Sequence, residues 1–404
     1  MMKKSFIVHA VLCLMAIQVF AQEQRFVDRV FDYITISDSI YYSCGDNYLG
    51  NEKDLFFDFY EPANDTMAYR PFVITVFGGA LIAGNRSWVD MIAYGDSLSH
   101  YGYAVASIGY RLGYNPLFQS SIIRAAYRAG QDVNAAIRHF KANYDMYGID
   151  TTQIYLLGNS AGTIASLMSV YLEENERPEA TYEGPLDSDL GCFNCTGEYQ
   201  QHTTEVRGLI AQWGGVDDLE YLDSFNTTPV CFIHGTGDNS VPYDYGPAYN
   251  IDLFPNLYGS AYMSMRLDTL DIWHELHLFD DASHCFYLEG DNMTMIPDFF
   301  DICFNIALEF MAQFNPWVDD PVMIAQQNQP NTKIFPNPVR NEMVIKTDHS
   351  MSSYRLFASD GRLVLSGILE NKQSTLDMSR YPAGAYIFEI SSDAGTSRHK
   401  IIHH

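Results

Sequence analysis

The sequence predicts an α/β fold, a mostly parallel sheet with helices on both faces, followed by a small all-β domain. Three observations carry that expectation. Short β-branched apolar runs, such as F-V-I-T-V-F at 72–77, have the composition of strands buried on both faces. They alternate with longer segments of helical period at 122–148, 161–174 and 296–314. Beyond a stretch near 316–331 rich in Gln, Asn, Asp and Pro, the helical period stops. Short strands follow, with turns at Asp360-Gly361 and Pro382-Ala383-Gly384.

Taken in order, the chain starts with a leader. Lys3 and Lys4 give a basic start, an apolar run follows, and Val19 and Ala21 stand at the −3 and −1 positions of a small-residue cleavage site. Residues 1–21 are therefore expected to be a signal peptide, too short for a membrane span. Strand-like runs lie at 33–40 and 55–60, then at 72–77, 103–110, 154–157, 209–213, 230–233 and 276–279. These and the helices make one domain over 22–318. Between 173 and 205 the pattern breaks into a polar stretch with Gly184, Pro185, Gly191 and Gly197, which reads as an excursion above the sheet, lid-like or a pocket wall. Residues 319–331 form a linker, and 332–404 the all-β domain with strands near 354–357, 363–366, 374–376 and 386–390.

Composition narrows the function. The 404 residues suffice for one large domain and a smaller one. A formal net charge of −26 repels phosphate backbones and anionic lipids, so neither nucleic acid nor a membrane surface is an expected partner. Of seven cysteines, Cys13 leaves with the leader. Cys192 and Cys195 form a C-x-x-C that lacks the second pair of a zinc site, so a local disulfide is expected.

The strongest chemical signal is G-N-S-A-G, Gly158 to Gly162, between a predicted strand and a predicted helix. A turn that sharp tolerates only small neighbours two residues either side, and it lifts the Ser160 hydroxyl beside the positive end of the next helix. A serine hydroxyl needs a base near neutral pH. His284, in D-A-S-H-C-F after the strand at 276–279, is the candidate base. Asp238, in H-G-T-G-D after the strand at 230–233, is the candidate acid that orients it. Both follow the carboxyl ends of strands, where an open α/β sheet builds its site. Asp217 and Asp218 compete for the acid's place, and His234 reads as a strand-end structural residue. In H-E-L-H the side chains of His274 and His277 face opposite ways in a strand, so no metal site is expected there and no cofactor is called for. The loop F-G-G-A-L after the strand at 72–77 offers the N–H groups of Gly79 and Ala80, with that of Ala161, as an oxyanion hole.

These residues together resemble the α/β-hydrolase superfamily, in its carboxylesterase and hormone-sensitive-lipase-like branch, which includes feruloyl-esterase-like enzymes. The resemblance runs from about Leu55 to Phe314. It includes Asp58-Phe59-Tyr60-Glu61-Pro62, Ile108-Gly109-Tyr110-Arg111-Leu112, Gln131-Asp132 and Tyr147-Gly148-Ile149-Asp150. It implies a serine hydrolase acting on carboxylic esters without a cofactor, with small esters or acylated polysaccharide as substrates. A peptidase of the same fold would share these motifs; an adhesion module on such a fold is the non-enzyme alternative, but such modules typically lose the Ser or the His, and this chain retains all three triad candidates. One residue departs from the pattern: where relatives commonly carry a His that braces the oxyanion loop, this chain has Phe77.

The C-terminal region is similar to the type IX secretion system C-terminal sorting domain, through Ile334-Phe335-Pro336-Asn337-Pro338, the run at 354–364 and the run at 376–388. Its usual terminal Lys is replaced by His403 and His404 after Lys400-Ile401-Ile402. This likeness implies export across both membranes of a Gram-negative cell, to the surface or the medium, with the secretion machinery as a partner.

Overall fold

The computed structural model describes residues 24–185, 187–290, 293–318, 332–337, 339–347, 352–358, 363–369, 371–392 and 395–403. The expected leader (1–21) and linker (319–331) lie outside the described residues. Eight strands form the central sheet: β1 (Ile34–Asp46), β2 (Glu52–Pro62), β3 (Arg70–Val76), β4 (Ala104–Ile108), β5 (Ile149–Asn159), β6 (Gly208–Gln212), β7 (Val230–Gly235) and β8 (His274–Phe279). Their order across the sheet is β1-β2-β4-β3-β5-β6-β7-β8. Pairing is parallel from β4 through β8, and antiparallel between β1 and β2 and between β2 and β4. The expected mostly parallel α/β sheet is what the chain forms.

Every residue of β3, β4, β6 and β7 is buried, which is why these strands read as apolar runs and not as alternation. Edge strand β8 does alternate, with partly exposed residues between more exposed ones. The covering helices are α1 (Val89–His100), α2 (Gln119–Ala142), α3 (Ala161–Tyr171), α4 (Ser260–Leu270) and α5 (Pro297–Phe314). Helix α2 stops earlier than its period suggests. The Asn143 side chain donates to the His139 carbonyl (2.8 Å), and Gly148 adopts a left-handed conformation before β5 begins. Helix α1, with Gly95 in its middle, is not among the elements expected from the sequence. A Cβ there would sit 2.8–2.9 Å from the Tyr60 ring, so glycine is what lets α1 lie against β2.

The segment at 173–205 is not a lid over the sheet. It runs along α2, whose side chains tie down its carbonyls. Arg124 donates to Ala180 (2.8 Å), Gln131 to Leu190 and Cys192 (both 3.0 Å), and Tyr127 to Gly191 (3.0 Å). Phe193 is buried against Tyr127, and Cys192 and Cys195 are joined by a disulfide. The polar composition that suggested a lid instead supplies turns whose carbonyls accept from buried arginines.

The all-β region holds β9 (Thr332–Phe335), β10 (Glu342–Thr347), β11 (Ser352–Ala358), β12 (Leu363–Leu369), β13 (Gln373–Asp377), β14 (Gly384–Ser392) and β15 (Gly395–His403). They make two antiparallel sheets, β9-β10-β13 and β12-β11-β14-β15. The sheets share a core of their own that includes Met343, Ile345, Leu356, Phe388 and Ile401. An ion pair between Arg355 and Asp298 of α5 (2.9 Å) reaches across to the larger domain, with side chains 40% and 44% exposed. A pair so exposed is worth at most about 1 kcal/mol.

Candidate active site

The site begins where β5 runs into α3. Ser160 caps α3 with φ 49° and ψ −119°, a positive φ rare outside glycine that costs about 1–3 kcal/mol in local strain. The surrounding packing enforces it. A Cβ on Gly158 would come 2.7 Å from Gly162 and from the Thr163 Cα, and one on Gly162 would come 2.0 Å from the Val76 carbonyl oxygen. The small residues thus let α3 start directly on the ends of β3 and β5. The Ser160 N–H donates to the Gln212 carbonyl (2.9 Å), which ties the turn to β6.

Two loops complete the constellation. Asp238 follows β7 and His284 follows β8. The His284 Nε2 lies 2.8 Å from the Ser160 Oγ, and its Nδ1 lies 2.6 Å from the Asp238 Oδ2. The other Asp238 oxygen accepts the N–H groups of Ser240 (2.8 Å) and Val241 (2.9 Å). Burial alone would raise the Asp238 pKa, but hydrogen bonds from His234 and His284 hold it well below the usual carboxylate range. Burial opposes charge on His284, whereas Cys285 and Asp238 favour it, and the net shift is upward. That bias suits a ring that must carry a proton transiently.

His234 was expected as a structural strand-end residue. It is fully buried, and its Nε2 stands 3.2 Å from the Asp238 Oδ2 and 3.1 Å from the Val241 carbonyl. One carboxylate oxygen therefore faces two imidazoles. Their spacing, His234 and Asp238 four residues apart, was the available signal for the second. The competing acids lie elsewhere. Asp218 caps a short turn by accepting from the Glu220 N–H (2.9 Å), and Asp217 lines the pocket wall, where burial raises its pKa.

A pocket opens beside Ser160, walled by Leu81, Tyr114, Ile122, Ile164, Val241, Phe254 and Leu257. No part of 173–205 lines it among the described residues. Of the expected oxyanion donors, Ala80 and Ala161 line this pocket, whereas Gly79 is not among its lining residues. Gly79, Ala80 and Leu81 take successive positive φ values (108°, 56° and 61°), held by N–H bonds from Ile82 (3.1 Å) and Ala83 (2.9 Å) to the Gly79 carbonyl. The stretch around 241–257 that forms the far wall carried no sequence motif.

Behind the nucleophile turn lies a buried polar network that sequence reasoning missed. The Asn159 Nδ2 donates to the Asp90 Oδ2, Tyr287 donates to the Gln212 Oε1 (3.0 Å), and the Gln212 Nε2 donates to the Tyr94 hydroxyl (2.5 Å). Burial pushes the Asp90 pKa from 3.8 to about 6, against the bonds from Met91, Tyr287 and Asn159. Folding therefore favours protonated Asp90. The stability this contributes is fully present below the unfolded pKa and is lost as pH rises from about 4 to about 6, an amount on the order of 2–3 kcal/mol. Asp90→Asn removes that dependence. Chemical denaturation of both proteins at pH 4 and pH 7 should show the variant gaining that amount relative to wild type as pH rises. A difference that does not move with pH would place the charge cost elsewhere.

Cys231, Glu275 and His277 bring ligand atoms within 4.8 Å of one another and could hold a metal ion. They lie on β7 and β8 towards the strand ends away from Ser160, where Glu275 already bonds His277 (3.0 Å) and Gln313 (2.7 Å). No helix among the described residues is long and apolar enough to cross a membrane.

Comparison with known proteins adds two family matches. Residues 57–227 match the BD-FAE family, and residues 333–404 match the family described as secretion system C-terminal sorting domain. Carboxylesterase 3 of Pongo abelii is 36% identical over 115 residues, 28% of this chain and 20% of that protein. Esterase LipC of Mycobacterium tuberculosis is 27% identical over 200 residues, 44% of this chain and 47% of that protein. The chain thus spans a fifth of one curated relative and about half of the other. Among solved structures, Thermogutta terrifontis esterase 2 phosphorylated by paraoxon aligns with a TM-score of 0.48 at 18% identity, covering 69% of this chain and 94% of that one.

Proposed function

We propose that the chain, which matches the BD-FAE family over residues 57–227 and a secretion system C-terminal sorting domain over 333–404, is an exported serine esterase of α/β-hydrolase fold that works through an acyl-enzyme on Ser160. The reading rests above all on the continuous hydrogen-bonded path from the Ser160 Oγ through His284 to Asp238. His284 takes the Ser160 proton as the Oγ attacks the ester carbonyl carbon. The carbonyl oxygen becomes an oxyanion, met by the N–H groups of Gly79, Ala80 and Ala161. Collapse expels the alcohol, which leaves with the proton from His284. Water then repeats the sequence on the acyl-enzyme and releases the acid. Asp238 stays ionised throughout and balances the imidazolium charge.

The wall of Leu81, Ile122, Ile164, Val241 and Phe254 supports a compact apolar acyl group. Together with the BD-FAE match, this favours short or aromatic acyl esters, such as acetyl or feruloyl groups on polysaccharide. The sorting domain supports passage through the type IX machinery to the cell surface or medium, after removal of a leader at 1–21. In this reading the hydrolase unit at 22–318 works alone, because the all-β unit has its own core and, among the described residues, brings none to the pocket. Residues 22–318 should hydrolyse p-nitrophenyl acetate and methyl ferulate at rates within about twofold of the full chain, and long-chain esters much more slowly. Deleting Lys333–His404 should retain activity but block release from the native host. A well-folded 22–318 fragment without activity would tie the C-terminal unit to the site.

A further inference from the structure

We infer that Tyr110 is the positioning residue of the oxyanion loop, replacing through its hydroxyl the bracing that Phe77 cannot supply. The inference rests on the esterase reading above. The Tyr110 hydroxyl donates to the Phe77 carbonyl (2.9 Å) and lies 3.4 Å from the Gly78 carbonyl. The two rings stack, with centroids 4.3 Å apart and planes 22° from parallel. Both residues are almost wholly buried, at 4% and 1% exposure, so water cannot substitute for the phenol. Burial pushes the phenol pKa upward, which keeps it a proton donor at any pH the enzyme meets.

The consequence for the site follows from peptide geometry. A trans peptide is planar, and its C=O and N–H point in opposite directions. Holding the Phe77 carbonyl on Tyr110 points the Gly78 N–H the other way and so fixes the peptide plane from which the Gly78–Gly79 turn starts. It thereby sets the start of the left-handed turn over Gly79, Ala80 and Leu81, which brings Ala80 to the pocket wall. Gly78 has no slack to find another arrangement, since a Cβ there would already meet the Asn159 Oδ1 at 2.5 Å and the Ser160 Cβ at 3.1 Å. Tyr110 is itself held from outside the site. The adjoining Arg111 donates its backbone N–H (2.7 Å) and its Nε (2.8 Å) to Asp132 on α2, in a pair whose side chains are 5% and 0% exposed. The oxyanion loop is therefore referenced to α2 through β4's exit, by a route that uses no histidine.

Tyr110→Phe tests this, because it keeps the stacked ring and removes only the hydroxyl. Expected is a fall in kcat on p-nitrophenyl acetate of about 10- to 100-fold with KM within about twofold, since a misaimed donor is felt where charge develops and not in ground-state binding. A trifluoromethyl ketone gives an independent readout. The Ser160 Oγ adds to its carbonyl carbon, the proton passes to His284, and the resulting oxyanion occupies the same hole. Its affinity should fall in step with kcat, while the melting temperature and circular dichroism stay close to wild type. An active wild type beside a Tyr110→Phe variant of equal kcat and equal ketone affinity overturns this inference and leaves the esterase reading standing. A fall confined to melting temperature also overturns it, because that is the signature of packing alone. A well-folded wild type that hydrolyses no ester and binds no ketone overturns both.

Discussion

Ser160→Ala is expected to lose ester hydrolysis by on the order of 10⁴-fold or more while folding normally. Both parts of that expectation come from the turn. The hydroxyl is the atom that meets the His284 Nε2 at 2.8 Å, and nothing else on the residue carries the chemistry. The backbone at φ 49° is imposed by Gly158, Gly162 and the ends of β3 and β5, and alanine accepts it at about the same strain as serine. A fluorophosphonate probe should label wild type at Ser160 and leave the variant unlabelled. Activity surviving in a folded Ser160→Ala protein, or labelling at another residue, would remove the nucleophile from the reading.

Asp238→Asn carries the next largest effect, about 10⁴-fold in turnover near neutral pH with substrate binding nearly unchanged. The neutral amide keeps the shape of the side chain and its bonds to the N–H groups of Ser240 and Val241. It loses the negative charge that lies 2.6 Å from the His284 Nδ1, and with it the preference for the tautomer that leaves Nε2 free to accept the serine proton. His234 sharpens the expectation, since it shares the same carboxylate oxygen and would compete for whatever acceptor the amide offers. Asp217→Asn and Asp218→Asn should each cost less than about tenfold, because one lines the pocket wall and the other caps a turn. Rates for the three variants, with circular dichroism as the folding control, decide the matter. A near-normal Asp238→Asn beside a crippled Asp217→Asn would shift the acid one strand earlier.

Legibility differed from element to element for identifiable reasons. The strands of the sheet's centre stood out because burial on both faces demands unbroken apolar runs, and β3, β4, β6 and β7 have no exposed residue. The nucleophile turn stood out because steric exclusion at Gly158 and Gly162 is written as glycine. Helix α1 was silent, since the same glycine signal at Gly95 serves close approach to Tyr60 in the middle of a helix and not a turn. The segment at 173–205 misled for a related reason: turn-rich polarity marks any chain whose carbonyls need donors, whether the donors are water or the arginines of α2.

Local steric and hydrogen-bonding requirements are met by residues close in the chain, so the sequence alone determined the sheet-and-helix alternation, the turn at Ser160, the strand-end positions of Asp238 and His284, and the separate C-terminal β unit. Requirements met across the fold leave no local pattern. Only the tertiary structure decided that Asp238 rather than Asp217 faces His284, that His234 shares its carboxylate, and that the polar excursion lies along α2. It also decided that Tyr110, 33 residues from Phe77 in sequence, reaches the carbonyl of that residue. Each of these depends on which strand ends and loops the parallel register of β3 to β8 brings side by side. That register is set by the packing of the whole sheet, not by any one segment of it.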